Sequence, residues 1–339
     1  MNNDERKYVG SVQQLYSARV VRFEEGRADG MKAVVVKNGS LNFTVMADKC
    51  LDIAEISFKG ENVSFLTKPG LQGRNQYDTN GAEAQHSIMA GGFFTCGLQN
   101  TGGPCNSNGT DYAMHGRLRT TPCEHLCVDT VEENGDTVIK ISGEMRDSML
   151  FGRNLQFRRT ITSVVGTSSI HIHDEVLNEN FKSEPFCLLY HCNTGYPFLN
   201  ENCYMLLDSE SIRSQTEYAE KNKDKWNVME KPSSEDGIEE MVYMHEVRAD
   251  QNGKAQATIV NPEKDLAYRL KWNKNQLKNF MEWKSNISGD YVWAVEPCNS
   301  TFEGRKVMEE KNILEILQPF EKRCFDIDIC LIENFKESE

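Results

Sequence analysis

The strongest constraint on this chain is a recurring alternation of apolar and polar residues with period two. Leu41, Phe43 and Val45 alternate with Asn42 and Thr44, and Thr137, Ile139 and Ile141 alternate with Val138, Lys140 and Ser142. Near the end Phe325, Ile327, Ile329 and Leu331 alternate with Asp326 and Asp328. Only an extended strand sends every second side chain to the same face, so each run reads as a strand buried on one side. Asn38-Gly39, Asn134-Gly135 and Asn252-Gly253 stand between such runs. These dipeptides tolerate positive φ and suit tight hairpins, which makes the strands mostly antiparallel.

Helical pattern is scarce. The polar run Ser211 to Trp226 reads as an exposed helix or a long loop, and a short helix could begin near Ser11. The glycines cluster in loops such as Gly91-Gly92 and Gly102-Gly103, without the G-x-G-x-x-G spacing of a dinucleotide fold. With no Pro-rich linker and no fixed-period repeat, the expectation is an all-β chain: one large, mostly antiparallel β-sandwich over residues 1–339 with few short helices. The stretch from about 70 to 116 is the exception, rich in Gly, Asn and Gln, and reads as a long loop region lining a site.

The 339 residues carry 38 Lys+Arg against 51 Asp+Glu, a net charge of -13, which repels phosphate backbones and anionic membrane surfaces. Nucleic acid and membrane are therefore not expected partners. No apolar run approaches the ~18 residues of a membrane span, and the start MNNDERKYVG has no signal-peptide core. A cytoplasmic location follows as the expectation. The 11 cysteines, odd in number and without repeated C-x-x-C spacing, read as reduced and mostly buried thiols.

Seven histidines can be weighed singly. His171 and His173 in SSIHIHDEV share one strand face, as a cupin-like metal pair would. The glutamate such a strand wants four or five residues later is replaced by Leu177 and Asn178, so the reading is a polar outer face with no metal. His86, His125 and His245 have no recognisable partners. His191, in CLLYHCNTGYPFL, is delivered by an apolar strand to a turn marked by Gly195 and Pro197. Its ordinary pKa of ~6.5 lets it hold or release a proton. His115 follows the long loop in AMHGRLR, with Arg117 and Arg119 on alternate positions. Glu296 ends the apolar strand YVWAVEPCN beside Trp293, a setting that raises a carboxyl pKa and suits a general base.

Together these segments resemble a family. DKCLDI (48–53), GGFFTCGLQNTGG (91–103), HGRLR (115–119), LLYHCNTGYP (188–197) and MEWKSNISGDYVWAVEPCN (281–299) are similar, in this order, to motifs of the aldose 1-epimerase (galactose mutarotase) superfamily, and most closely to an uncharacterised cytoplasmic bacterial branch. The resemblance implies the galactose mutarotase-like supersandwich fold. It further implies His191 as general acid, Glu296 as general base and His115 as a second active-site histidine that holds the sugar. The implied reaction opens and recloses a sugar hemiacetal by proton transfer, without a metal or redox cofactor. His191 and Glu296 would then face each other from opposite edges of a pyranose-sized hollow.

A sugar site also needs stacking surfaces and forked donors. Trp283 and Trp293 are the aromatic candidates; Arg74, Arg117, Arg119 and Lys284 are the donors, with Asn193 beside His191 as a further contact. Each has a plainer reading. Trp293 in an apolar strand suits a core, Arg117 and Arg119 suit a solvated strand face, and Asp48 and Asp52 suit turn capping. The better-studied mutarotases carry an arginine in or before the segment where this chain has Phe94 and Thr95, and Arg74 could replace it from the long loop. That departure leaves the sugar open, with sugar acids and keto-sugar derivatives among the options. A small-molecule carbohydrate is the expected partner, and a homodimer is left open. Two alternatives stand beside the mutarotase: a non-catalytic carbohydrate-binding or sensing protein, and a glycoside-acting lyase or hydrolase pairing Glu282 with Glu296.

Overall fold

The computed structural model describes residues 7–72, 81–82 and 91–336. The chain is all-β, built on antiparallel ladders, with short helices at Glu217–Lys221 and Gly304–Glu310. A five-stranded meander runs in chain order through Tyr16–Arg22, Lys32–Asn38, Leu41–Met46, Asp52–Phe58 and Glu61–Asn62. An eight-stranded sheet follows the order Tyr204–Leu207, Lys254–Asn261, Leu266–Asn273, Lys322–Glu333, Ser169–Asn178, Asn154–Val164, Asp136–Ser148 and Glu124–Glu133. A seven-stranded sheet runs Ser209–Ser214, Met241–Val247, Asn279–Ile287, Asp290–Cys298, Glu184–Thr194 and Glu315–Leu317, with Phe94–Leu98 also paired to Glu184–Thr194.

The two large sheets pack face to face. Trp272 of one stacks on Phe280 of the other, with ring centroids 4.9 Å apart. One apolar cluster draws on all three sheets, including Phe43, Ile327 and Trp293. The alternation in the sequence makes this possible: in Ser169–Asn178 the even positions are buried and the odd ones, His171 and His173 among them, are half-exposed. Asn134 and Gly135 join two strands at φ 53° and 89°, a two-residue hairpin with positive φ at both positions.

Inside the sandwich Arg159, Asp52 and Asp174 form a buried, paired set of charges. Arg159 donates to both Asp174 oxygens (2.8 and 2.6 Å), to Asp52 Oδ1 (2.8 Å) and to Thr95 Oγ1 (2.8 Å). Its guanidinium lies against the rings of Phe93 and Phe157. The Tyr190 hydroxyl donates to Asp174 at 2.7 Å. Asp52 thus belongs to a buried ionic core and not to a turn cap. Removing one member of such a network costs about 3–5 kcal/mol, because the remaining charge is left buried and unpaired.

Three sequence readings change in detail. The run Ser211 to Trp226 is part strand (Ser209–Ser214) and part helix (Glu217–Lys221), because its polar residues occupy an exposed edge strand. The Ser11 helix is a 3-10 turn over Val12–Gln14, closed by a reciprocal Ser11 and Gln14 capping box. The 70–116 region contains the buried strand Phe94–Leu98 and a small hairpin, Cys105–Ser107 with Thr110–Tyr112. All 11 cysteines are free thiols; six are buried and Cys127 is exposed.

Candidate active site

The candidate site lies on the outer face of the seven-stranded sheet. Alternation assigns its side chains: along Glu184–Thr194, Tyr190 points inward to Asp174, so Leu189, His191 and Asn193 point outward. Register then assembles a row. His191 pairs with Phe94, and Met281 pairs with Glu296. Between the Leu189–Cys298 and Cys192–Val295 pairs, the same register sets His191 opposite Glu296. Phe94, His191, Glu296 and Met281 therefore stand side by side across four strands. His191 Nε2 and Glu296 Oε1 are 3.1 Å apart, and both side chains are buried. They share one wall of the site and do not face each other across it.

Neighbours hold the His191 ring in place. Phe94 stacks on it at 4.4 Å and 20°, and Trp283 meets it edge-on at 5.2 Å. The Asn193 amide donates from Nδ2 to the Gly91 carbonyl (3.0 Å), which turns its Oδ1 to His191 Nδ1 at 2.5 Å. That oxygen can only accept, so Nδ1 carries the hydrogen and Nε2 presents its lone pair to Glu296.

His115 comes from the loop, with centroids 5.8 Å from His191 and rings nearly perpendicular. It sits at φ 57°, pinned by hydrogen bonds from its amide to Gly102 O and from Gly97 N to its carbonyl. The next residue must be glycine: Gly116 has φ 68°, and a Cβ there would meet Gly97 O at 2.3 Å. The Gly102 amide donates to His115 Nδ1 at 3.3 Å, so a neutral His115 carries its hydrogen on Nε2 and acts as a donor there.

A cavity of about 190 Å³ is lined by His115, His191, Glu240, Met281, Trp283 and Glu296, together with Gln215 and Phe302. Burial, reinforced by the carboxylates of Glu240 and Glu282, pushes Glu296 up to about 8. Burial pulls His191 down to about 3, against the opposing pull of its bond to Asn193. Burial first, then the charges of His191 and Arg119, hold His115 well below the ordinary imidazole value. Near neutral pH the resting pair is a carboxyl group facing an uncharged imidazole, with one proton to move between two sites. Glu296 Oε1 approaches Nε2 off the line of a hydrogen bond and has no hydrogen-bond partner in the protein. Lining the cavity, that oxygen can take a hydrogen bond from a ligand hydroxyl.

The other candidates separate clearly. Trp283 lines the cavity, its Nε1 donating to Glu240 at 2.7 Å. Trp293 and Lys284 lie on the opposite, inward face of the sheet. Trp293 donates to Glu282 at 2.8 Å, while Lys284 Nζ donates to the carbonyls of Lys225 (2.7 Å) and Val228 (2.9 Å). Neither faces the cavity, because in a strand a shift of one residue reverses the face. Glu282 is also inward, 2.9 Å from His245 Nε2. Asn193 orients His191 and does not line the cavity. Arg117 and Arg119 belong to a 3-10 turn, Leu118–Thr120 with Arg117 at its head, and not to a strand face. Arg119 is buried within electrostatic reach of Asp52 and His115, outside the cavity lining. Arg74 and His86 lie outside the described residues. Sequence reasoning missed Glu240, Gln215, Phe302 and the packing role of Phe94. Met281 and Gly102-Gly103 lay within the motifs, but Glu240 sits in an acidic stretch that carries no distinguishing signal.

Comparison with solved structures matches this architecture. A presumptive aldose 1-epimerase from Klebsiella pneumoniae subsp. pneumoniae superposes with a TM-score of 0.87 at 22% identity, covering 98% of this chain and 87% of that one. A galactose mutarotase-like protein from Clostridium acetobutylicum gives a TM-score of 0.65 at 12% identity over 94% and 99% of the two chains. Galactose 1-epimerase from Lactobacillus acidophilus gives 0.60 at 12% identity over 94% and 100%. At these identities the likeness is one of fold. No curated protein matches the sequence. A sequence profile does, over residues 28–331, and by that match the chain belongs to the family described as domain of unknown function DUF4432, built on the galactose mutarotase-like β-sandwich.

Proposed function

We propose that the chain is an isomerase of the aldose 1-epimerase type, interconverting the α and β anomers of a small carbohydrate in the cavity described above. The observation that carries this reading is the buried His191–Glu296 pair, 3.1 Å apart on one cavity wall with a second histidine beside it. Anomer exchange needs one proton to leave the O1 hydroxyl and another to reach the ring oxygen. The C1–O5 bond then breaks, C1 becomes a carbonyl, the C1–C2 bond rotates, and the steps reverse. A pair holding a single proton has one donor and one acceptor in either tautomer, carboxyl with imidazole or carboxylate with imidazolium. Glu296 as base and His191 as acid use the second; the resting first tautomer runs the same exchange with the roles reversed. Each placed proton-transfer group contributes about 10²–10⁴-fold. His115, with its hydrogen on Nε2, supports charge at the sugar oxygens, and the Trp283 ring offers an apolar surface to the sugar face.

Saturation-transfer NMR across a panel of reducing sugars tests the proposal. Exchange between anomer signals above the buffer rate, lost in Glu296→Gln, is the expected result. Sugar binding without exchange would mean a carbohydrate-binding or sensing protein instead. The lyase or hydrolase reading loses support, because Glu282, its second carboxylate, bonds His245 and Trp293 on the other face of the sheet.

A further inference from the structure

The outer face of the eight-stranded sheet carries a second cluster of reactive side chains, on the far side of the sandwich from the cavity. The ladder between Ser169–Asn178 and Lys322–Glu333 pairs His171 with Asp328, His173 with Asp326 and Glu175 with Cys324. One ligand atom each from His173, Glu175 and Cys324 lies within 4.8 Å of the other two. We propose that these three residues form a binding site for a divalent cation of the zinc class, joining the two strands across their ladder.

The donor set suits such an ion: an imidazole nitrogen, a thiol that can become a thiolate, and a carboxylate oxygen, with a fourth position left for water. Bonds of about 2.0–2.1 Å to nitrogen and about 2.3 Å to sulfur put two ligands no more than about 4.4 Å apart across an ion, so small side-chain rotations close the site. The surrounding shell is already built. Asp326 Oδ1 holds His173 Nδ1 at 2.7 Å, and Asp326 is itself fixed by Gln276 Nε2 at 2.9 Å. A carboxylate on the far nitrogen is the usual partner of a metal-bound histidine, because it sets the tautomer and leaves Nε2 for the metal. Lys322 Nζ takes Glu175 Oε1 at 2.5 Å and leaves the other oxygen. In place of a glutamate further along the strand, Glu175 stands at the next outward position and Cys324 comes from the neighbouring strand.

Cobalt(II) and zinc titrations of the purified full chain test this without any turnover assay. The expected result is one equivalent of Co²⁺ with a near-ultraviolet thiolate-to-cobalt band, displaced by Zn²⁺. Cys324→Ser removes the band and weakens zinc binding at least about tenfold; Asp326→Asn keeps the band and weakens binding about tenfold. On the unaltered protein, which sidesteps any folding defect of a variant, zinc should shield Cys324 from alkylation while exposed Cys127 reacts at its normal rate, read by peptide mass mapping. Absence of stoichiometric binding, binding unchanged in both variants, or equal Cys324 alkylation with and without zinc overturns the proposal.

Discussion

Each outer face of this sandwich carries histidine–carboxylate contacts, and His191–Glu296 on one behaves oppositely to His171–Asp328 on the other. His191 and Glu296 are 3% and 5% exposed, whereas His171 and Asp328 are 43% and 46% exposed at a similar separation, 2.8 Å. In the buried pair desolvation dominates: it drives His191 down and Glu296 up, toward uncharged partners. In the exposed pair water still solvates both groups, and the hydrogen bond that His171 Nδ1 donates to Asp328 raises His171 toward its charged form. The lesson is that cross-strand placement brings such groups together, but burial decides whether the result is an uncharged pair or an ion pair.

The sharpest way to break this contrast is Glu296→Gln, which keeps the shape but removes the exchangeable proton. Anomer exchange should fall by about 10²–10⁴-fold while sugar binding persists; unchanged exchange in the NMR assay would end the assignment of Glu296. A pH profile comes next. The productive form holds one proton in the pair, so kcat/KM should be level through neutral pH and fall about tenfold per unit above pH 8, where Glu296 loses its proton. The acid limb should lie near 3, where His191 gains a second. The sign for stability follows from the raised carboxyl: the folded state keeps a proton that the unfolded state releases near 4.5, so Glu296 weakens the fold as pH rises from there through 8. An alkaline rise in rate through pH 8 would show that the doubly deprotonated pair is the active one.

Lys284→Met tests the inward face of the same sheet. It strips two backbone carbonyls of their donor, so stability should drop by about 1–3 kcal/mol in urea unfolding, with KM for the sugar unchanged. A raised KM at full stability would return Lys284 to the sugar site. The smallest effect belongs to the exposed pair. His171→Ala should leave exchange intact and cost about 0–1 kcal/mol, as exposed ion pairs do. Because His171 is raised in the fold, its contribution is complete below the ordinary value of ~6.5 and fades as pH rises through the raised one. A loss of activity in this variant would tie the two faces together.

Much of this was legible in the linear pattern, and the exceptions are instructive. Leu41, Phe43, Val45, Phe325, Ile327 and Ile329 are all buried, as period two requires. His115, His191, Trp283 and Glu296 do line one cavity. Lys284 and Trp293 were candidates because sugars need donors and rings, but one-residue parity sends them inward with Glu282. Asp52 looked like a turn residue because its partners, Arg159 and Thr95, lie 107 and 43 positions away. Arg119 sat on an apparent strand alternation that the chain bends into a 3-10 turn. For Asp52 the missing information was a partner from a distant strand; for Lys284 and Trp293 it was the face of the sheet, and for Arg119 the local turn.

Local patterning was enough to dictate strands, hairpins, the apolar face of each strand and the kinds of chemistry the chain carries, because those depend on neighbours a few residues apart. Register, the choice of face at polar positions and the depth of burial were settled only when the sheets stacked. Hydrogen bonds between strands far apart in the chain set Glu296 opposite His191 and Cys324 opposite Glu175. The packing of loops over one face and not the other then removed water from one histidine–carboxylate pair, and with it the charge.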